Sequence, residues 1–217
     1  MELKIIHQEK DYVVCLKPSG LLSQAGKEGE ETMLTALSRQ LGGTWHPVHR
    51  LDKEVSGIMV YAANQKSAGA FGKAIQEGTM KKEYLAVIKG TPEASEGIYE
   101  DLLLHDNRKN KSYVVDRQRG GVKKAKLSYR VLDSRDGLSL VQVRLFTGRT
   151  HQIRVQFASR KMPLVGDGRY GGGSGKIALW SARLTFPHPT RKEICTFSRL
   201  PEELGGFTDI SSLENME

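Results

Sequence analysis

Cysteine is scarce in this sequence: Cys15 and Cys195 are the only two, and each lies in an apolar pattern. Such a small number favours buried, reduced thiols over a disulfide framework. The chain also lacks an apolar run long enough to span a membrane, and its charged opening segment, residues 1–10, has no apolar core typical of a secretory signal. We therefore expect a compact cytoplasmic protein.

An excess of acidic residues is also lacking. The formal net charge is +8, and residues 1–80 carry 9 basic and 9 acidic residues, so the whole basic excess falls in residues 81–217. The densest part is the basic segment, residues 108–126, whose only acid is Asp116. Such a surface suits an anionic polymer. A hairpin that is lysine-rich for solubility would explain the charge equally well.

Short apolar runs separated by turns dominate the pattern and predict more strands than helices. Many of the turns are too short for helical crossovers, which favours an α+β fold with a mainly antiparallel sheet. Helices are predicted at residues 31–41, from an Asn64 cap to about Glu77, and at residues 151–161 with Thr150 as the cap.

The chain shows no internal repeat and no low-complexity linker. Its 217 residues therefore predict a single domain, residues 1–217, with a polar tail from about residue 208.

Two tempting motifs do not hold. Residues 166–171 have the spacing G-x-G-x-x-G, but the glycines at 172, 173 and 175 cannot open the helix that a dinucleotide site requires, so a turn is predicted. His46 and His49 are spaced like metal ligands, but Pro47 disfavours a helical pair and no further ligand has suitable spacing.

A polar stretch, residues 49–54, leads directly into the apolar strand predicted at residues 57–63. This places the carboxylate of Asp52 at the mouth of a core strand. Three segments stand out: His49-Arg50-Leu51-Asp52 with Ser56-Gly57, Lys82-Glu83-Tyr84-Leu85-Ala86 up to Gly90, and Thr147 to Val155 with the residues from Pro163 to Gly171. In order and spacing, these segments together resemble the RluA-type pseudouridine synthase family.

The resemblance also includes Lys17-Pro18-Ser19-Gly20 and covers nearly the whole chain. This sequence departs from the family pattern at Val55, where Thr is usual, and at Gln156, where His is usual. The resemblance implies an α+β catalytic domain with two lobes and a cleft that carries Asp52. An N-terminal RNA-binding module of the S4 type is not expected, because the Lys17-Pro18 turn comes too early.

The resemblance further implies an isomerisation that needs neither a cofactor nor a metal. A uridine in RNA loses its bond from N1 to the sugar, and C5 bonds to the sugar instead. Asp52 is the implied catalytic carboxylate, which either attacks the sugar or removes a proton from it. Arg154 is its implied partner, because a guanidinium pairs with a carboxylate through two hydrogen bonds. Tyr84 is expected to lie against the uracil. Surface or ordinary strand positions would also explain these last two residues.

The implied partner is structured RNA, either ribosomal or transfer RNA, bound by a monomer. Arg50 is a candidate to fill the space left when the target base is flipped out. The candidate RNA-binding residues are His49, Arg50, Lys82, Arg149, His151, Lys109, Lys111, Lys123 and Lys124.

Two other classes of protein would share part of this pattern. A noncatalytic RNA-binding protein explains the charge but needs no Asp with a matching Arg and Tyr. A glycoside hydrolase needs a second acid at a defined separation, and only Asp52 has a motif around it.

Overall fold

The computed structural model describes residues 1–24, 26, 29–208 and 210. In this part of the chain the helices are α1 (Met33–Leu41), α2 (Gln65–Gln76) and α3 (Gln152–Ala158). The strands are β1 (Ile5–Gln8), β2 (Tyr12–Lys17), β3 (His46–Pro47), β4 (Ser56–Ala62), β5 (Lys81–Lys89), β6 (Glu96–Asp106), β7 (Lys111–Val115), β8 (Val122–Arg135), β9 (Leu138–Leu145), β10 (Leu179–Pro187) and β11 (Ile194–Ser198).

The chain divides into two compact units. Unit 1 comprises Met1–Lys82 and Ser181–Arg199. Its strands run in the order β1-β2-β4-β10, with β3 beside β4 and β11 beside β10. Strands β2 and β4 are antiparallel, and nearly every residue of both is buried, which explains their uninterrupted apolar sequences.

Helix α2 covers the sheet of unit 1 and begins as the sequence predicts. The Asn64 side chain accepts a hydrogen bond from the Ser67 backbone N–H at 2.9 Å. The ring of Phe71 packs edge-on against Tyr12 and Phe186 in the core. These contacts bury one face of the helix against β2 and β10.

Unit 2 comprises Glu83–Trp180 and Leu200–Glu217, with strands in the order β5-β9-β8-β6-β7. The pairs β8–β9, β6–β8 and β6–β7 are antiparallel. Side chains of β8 alternate between a buried face and a solvent face. Helix α3 packs on the buried face, where the Phe157 ring lies 5.3 Å from Tyr99 and 5.8 Å from Tyr129.

The predicted α+β class is confirmed, whereas two features of α3 were predicted wrongly. The helix ends at Ala158, and its N-cap is His151 rather than Thr150. His151 has a left-handed backbone (φ 55°) and makes no side-chain cap bond. The Gln152 side chain serves this turn instead, since its Oε1 accepts from the Arg149 N–H and the Thr147 hydroxyl.

No helix of the described residues is both long and apolar enough to cross a membrane. The predicted polar tail, from about residue 208, falls mostly outside the described residues. The prediction of a single domain for residues 1–217 remains a prediction.

Candidate active site

The loop that carries Asp52 is held by a buried lysine at the end of β2. Lys17 is 1% exposed, and its ammonium donates to the carbonyl oxygens of Pro18 (2.8 Å), Lys53 (2.9 Å) and Val55 (2.8 Å). The Val55 N–H in turn donates to the Asp52 carbonyl at 3.0 Å. The main chain that follows Asp52 is therefore fixed by one side chain, that of Lys17.

Two serines complete the support of this loop. Ser23 Oγ donates to the Leu51 carbonyl at 2.7 Å and accepts from the Leu51 N–H at 3.0 Å. Ser19 Oγ donates to the Glu54 carbonyl at 2.8 Å. Because all three bonds go to the backbone, they fix the main chain on either side of the half-buried Asp52.

The electrostatics of the loop connect Lys17 to Asp52. Burial lowers the pKa of Lys17 to about 8, and the nearby carboxylates of Asp52 and Glu54 oppose this shift. The loop therefore places these two carboxylates near a buried ammonium.

His49 occupies a buried position in unit 1. Its Nε2 accepts a hydrogen bond from the Val60 N–H at 3.3 Å, and only 8% of the residue is exposed. Burial, and to a lesser degree the charge of Lys82, lowers the pKa of His49 to about 3. Burial lowers the pKa of Lys82 as well. The RNA-binding role of His49 remains a prediction, but its surroundings are those of a neutral residue that supports β4.

Arg154 is buried in α3 and forms a two-pronged ion pair with Asp167. Its Nε donates to Oδ2 at 2.7 Å and its Nη2 to Oδ1 at 2.8 Å. The two side chains are 4% and 0% exposed. The alternative that Arg154 is a surface arginine is therefore wrong. The pair with Asp167 fixes the plane of the guanidinium, and Nη1 lies outside that pair.

The glycine-rich segment at residues 166–175 explains the position of Asp167. A Cβ on Gly166, which has φ +75°, would lie 2.2 Å from the Lys176 carbonyl oxygen, and one on Gly172 would lie 1.7 Å from that of Leu164. The Gly172 N–H also donates to the Asp167 carbonyl at 2.8 Å. The turn predicted for the G-x-G-x-x-G spacing is present, and it positions a carboxylate rather than a nucleotide.

Tyr170 links Arg154 to the basic segment. The guanidinium carbon of Arg154 lies 5.3 Å from the centre of the Tyr170 ring, and the ammonium of Lys111 lies 5.2 Å from it. The Tyr170 hydroxyl accepts from the Ser112 N–H of β7 at 2.8 Å and lies 3.0 Å from Nδ1 of His151. His151 is 7% exposed and faces inward, so its RNA-binding role also remains a prediction.

The other predicted RNA-binding residues differ in exposure. Arg50 in unit 1, and Lys109, Lys123 and Lys124 in unit 2, are exposed. Lys111, Arg149 and Lys82 are half-buried. The Arg149 Nε donates to the Lys124 carbonyl at 2.9 Å, which ties the segment before α3 to β8. Tyr84 is 4% exposed in β5, and its role against the uracil stays a prediction.

Glu9, Asp11 and His188 bring metal-ligating atoms within 4.8 Å of one another. Their hydrogen bonds do not suit a metal. Nδ1 of His188 accepts from the N–H groups of Thr190 (3.1 Å) and Arg191 (3.0 Å), so the ring proton is on Nε2, which faces Glu9. Asp11 accepts from the Thr190 hydroxyl. The cluster is a hydrogen-bond network that joins the ends of β10 and β11 to β1 and β2.

Comparison with known proteins decides the family. The family model described as RNA pseudouridylate synthase matches residues 11–159. The chain belongs to this family. The protein is therefore an RNA-modifying isomerase that converts uridine to pseudouridine, which confirms the resemblance seen in the sequence.

Relatives agree with this assignment. The chain is 31% identical to the RNA pseudouridine synthase ZMO0505 of Zymomonas mobilis, with 95% of this chain and 96% of the relative covered. It is 31% identical to YhcT of Bacillus subtilis, with 89% and 67% covered. It is 30% identical to the ribosomal large subunit pseudouridine synthase D of Borreliella burgdorferi, with 81% and 56% covered.

A solved structure supports the fold. Human RNA pseudouridylate synthase domain containing 1 superposes with a TM-score of 0.78 at 24% identity, over 93% of this chain and 84% of the human chain. Within this pseudouridylate synthase, the roles of Lys17 and Asp167 were not predicted from the sequence. A lysine closing an otherwise apolar strand was the available signal for the first. For the second, the sequence offered only a carboxylate between glycines.

Proposed function

We propose that the protein isomerises specific uridines in structured RNA, ribosomal or transfer RNA, with Asp52 as the catalytic carboxylate. The N1–C1′ bond breaks and a C5–C1′ bond forms on the same nucleotide, so no atom is gained or lost and no cofactor or metal is needed. The observation that carries the proposal is the backbone support of the Asp52 loop by Lys17, Ser23 and Ser19. A carboxylate that must meet one sugar carbon gains its rate from such fixed placement.

We further propose that Arg154 is the partner of Asp52 and that Tyr84 contacts the uracil. The Asp167 pair supports the first role, because two hydrogen bonds through Nε and Nη2 hold the buried guanidinium in one orientation. The buried position of Tyr84 in β5 supports its contact with the uracil, since a target base is flipped out of the RNA into a pocket of the enzyme before it reacts.

The RNA itself is proposed to lie along the basic segment, residues 108–126. Its lysine quartet consists of Lys109, Lys111, Lys123 and Lys124. Three of these side chains are exposed and the fourth is half-buried, so all can approach phosphates. Ribosomal RNA of the large subunit is the first substrate to test, because a relative carries that substrate in its name.

The decisive experiment replaces Asp52 by Asn, which keeps the shape of the side chain and removes its charge. Pseudouridines are mapped across total RNA from cells that lack the gene and carry the wild-type protein, Asp52→Asn or Glu54→Gln. Glu54 is an exposed acid on the same loop and serves as the matched control. We expect at least one site to be modified by the wild type and the control but not by Asp52→Asn.

Substantial modification by Asp52→Asn would overturn its assignment. RNA binding by the wild type without any pseudouridine would instead favour a noncatalytic RNA-binding protein. Release of uracil would indicate a glycosidic hydrolysis.

A further inference from the structure

An exposed aromatic ring stands among cations on unit 2, immediately after β9. Phe146 is 47% exposed, which is unusual for a side chain of this size. The Lys126 ammonium lies 5.7 Å from the centre of its ring, and the guanidinium carbon of Arg144 lies 5.2 Å from it. The ring therefore combines a large apolar surface with two positive charges.

The backbone beneath the ring is well anchored. The Lys126 carbonyl accepts hydrogen bonds from the N–H groups of Phe146 (3.1 Å) and Thr147 (3.3 Å) and from Nε2 of Gln152 (3.1 Å). The Thr147 hydroxyl donates to Oε1 of the same glutamine at 2.7 Å. Because Gln152 is the first residue of α3, the ring is tied to the helix that carries Arg154, and little backbone entropy remains to be lost on binding.

Strand alternation decides which way these side chains point. In β8, Leu127 and Tyr129 are buried, while Lys126 and Arg130 lie on the opposite, solvent-facing side. Phe146 stands next to Lys126 on that side, beyond the pairing of Leu145 with Leu127. The ring thus belongs to a solvent-facing strip of the sheet on which basic residues recur.

We propose that Phe146 is a stacking platform for an unpaired base of the substrate RNA, with Lys126 and Arg144 binding phosphates beside it. This inference rests on the proposed function, since it assumes that the protein binds RNA. Every base offers a π face, so an aromatic ring next to cations binds single-stranded RNA with little regard to sequence. Lys126 also pairs with Glu100 at 2.6 Å, but both side chains are exposed and such a pair yields readily to a phosphate.

The occupant follows from the composition of the strip. A protein partner would be expected to cover a contiguous apolar patch of several hundred Å². Here a single ring is flanked by Lys126 of the neighbouring strand β8 and by Arg144 of β9, the strand that the ring follows, which suits a planar base attached to an anionic backbone.

The test measures the binding of a fluorescently labelled oligoadenylate of about twelve nucleotides over a range of potassium chloride concentrations. The proteins are the wild type, Phe146→Ala and Phe146→Trp, each checked for native circular dichroism. We expect Phe146→Ala to weaken binding roughly 5- to 150-fold, the effect of losing one stacked base, and Phe146→Trp to bind at least as well as the wild type. The slope of log affinity against log salt should stay the same, because no phosphate contact is removed.

A matched probe without bases, an abasic oligomer of the same length, separates stacking from charge. Wild type and Phe146→Ala should bind it equally. Equal affinity of these two proteins for oligoadenylate would overturn the proposal, as would a loss that is equally large on the abasic oligomer. Pseudouridine formation by the wild type is measured in parallel. If the wild type forms no pseudouridine, the result counts against the proposed function. If the enzyme is active and Phe146→Ala binds oligoadenylate as well as the wild type does, the result counts against the stacking platform alone.

Discussion

Replacing Asp167 by Asn should destabilise unit 2 and misdirect Arg154. The two side chains are 4% and 0% exposed, so the guanidinium would lose a carboxylate in a place that water does not reach. Removing one partner of a buried ion pair costs about 3 to 5 kcal/mol. The amide NH2 group of Asn would also face the N–H donors of Arg154. For a chain of this length the loss corresponds to a fall in melting temperature of roughly 6 to 20 °C.

The assay is urea unfolding monitored by circular dichroism. The midpoint urea concentration is compared rather than an extrapolated free energy of unfolding, because chains above about 150 residues often unfold through intermediates. Glu100→Gln is the matched control. It also converts an acid to its amide in unit 2, but its partner Lys126 is exposed, so a loss of at most about 1 kcal/mol is expected. A midpoint for Asp167→Asn no lower than that of Glu100→Gln would refute the reasoning. Single-turnover pseudouridine formation, measured where the variant is folded, should be slower than in the wild type.

Two further predictions concern RNA affinity and acid stability. Replacing the lysine quartet by Gln should weaken RNA binding most at low salt, and it should lower the slope of log affinity against log salt by about 0.9 per lost phosphate contact. Single-turnover conversion at saturating RNA should change little. A slope equal to that of the wild type would instead indicate that the basic segment serves solubility. For His49, the folded-state pKa of about 3 lies below the ordinary 6.5, so between these pH values the unfolded chain binds a proton that the folded chain does not. Stability should therefore fall by about 1.4 kcal/mol per pH unit as the pH decreases through that window. His49→Gln should remove this pH dependence. If the urea midpoints of the wild type and His49→Gln changed in parallel with pH, the prediction would be wrong.

Local patterns predicted the parts of the fold whose signals are local. The apolar run that became β4 and the Asn64 cap of α2 depend on neighbouring residues, and both were found as predicted. Strand β6 was not predicted, because its residues alternate only weakly between exposed and half-buried positions. Before α3, the Gln152 side chain forms the hydrogen bonds of the turn, whereas Thr150 was expected to cap the helix.

The site followed the same rule. Asp52 became a candidate through the motif around it, which resembles the family pattern, and its catalytic role remains a proposal. The pairing of Arg154 with Asp167 joins residues 13 positions apart through a glycine-built turn, and no periodicity in the sequence encodes that contact. Its prediction would require knowing how closely the backbone packs at Gly166 and Gly172.

The bonds from Lys17 to the Asp52 loop all end on main-chain oxygens, which every amino acid possesses. These hydrogen bonds therefore do not depend on which side chains the loop carries, provided that the backbone conformation is unchanged. Val55, which stands where the resembling family usually has Thr, illustrates this tolerance, because its carbonyl accepts from Lys17 whatever the side chain is. Substitution of the loop side chains should therefore leave the bonds to Lys17 in place, and with them the course of the main chain beside Asp52.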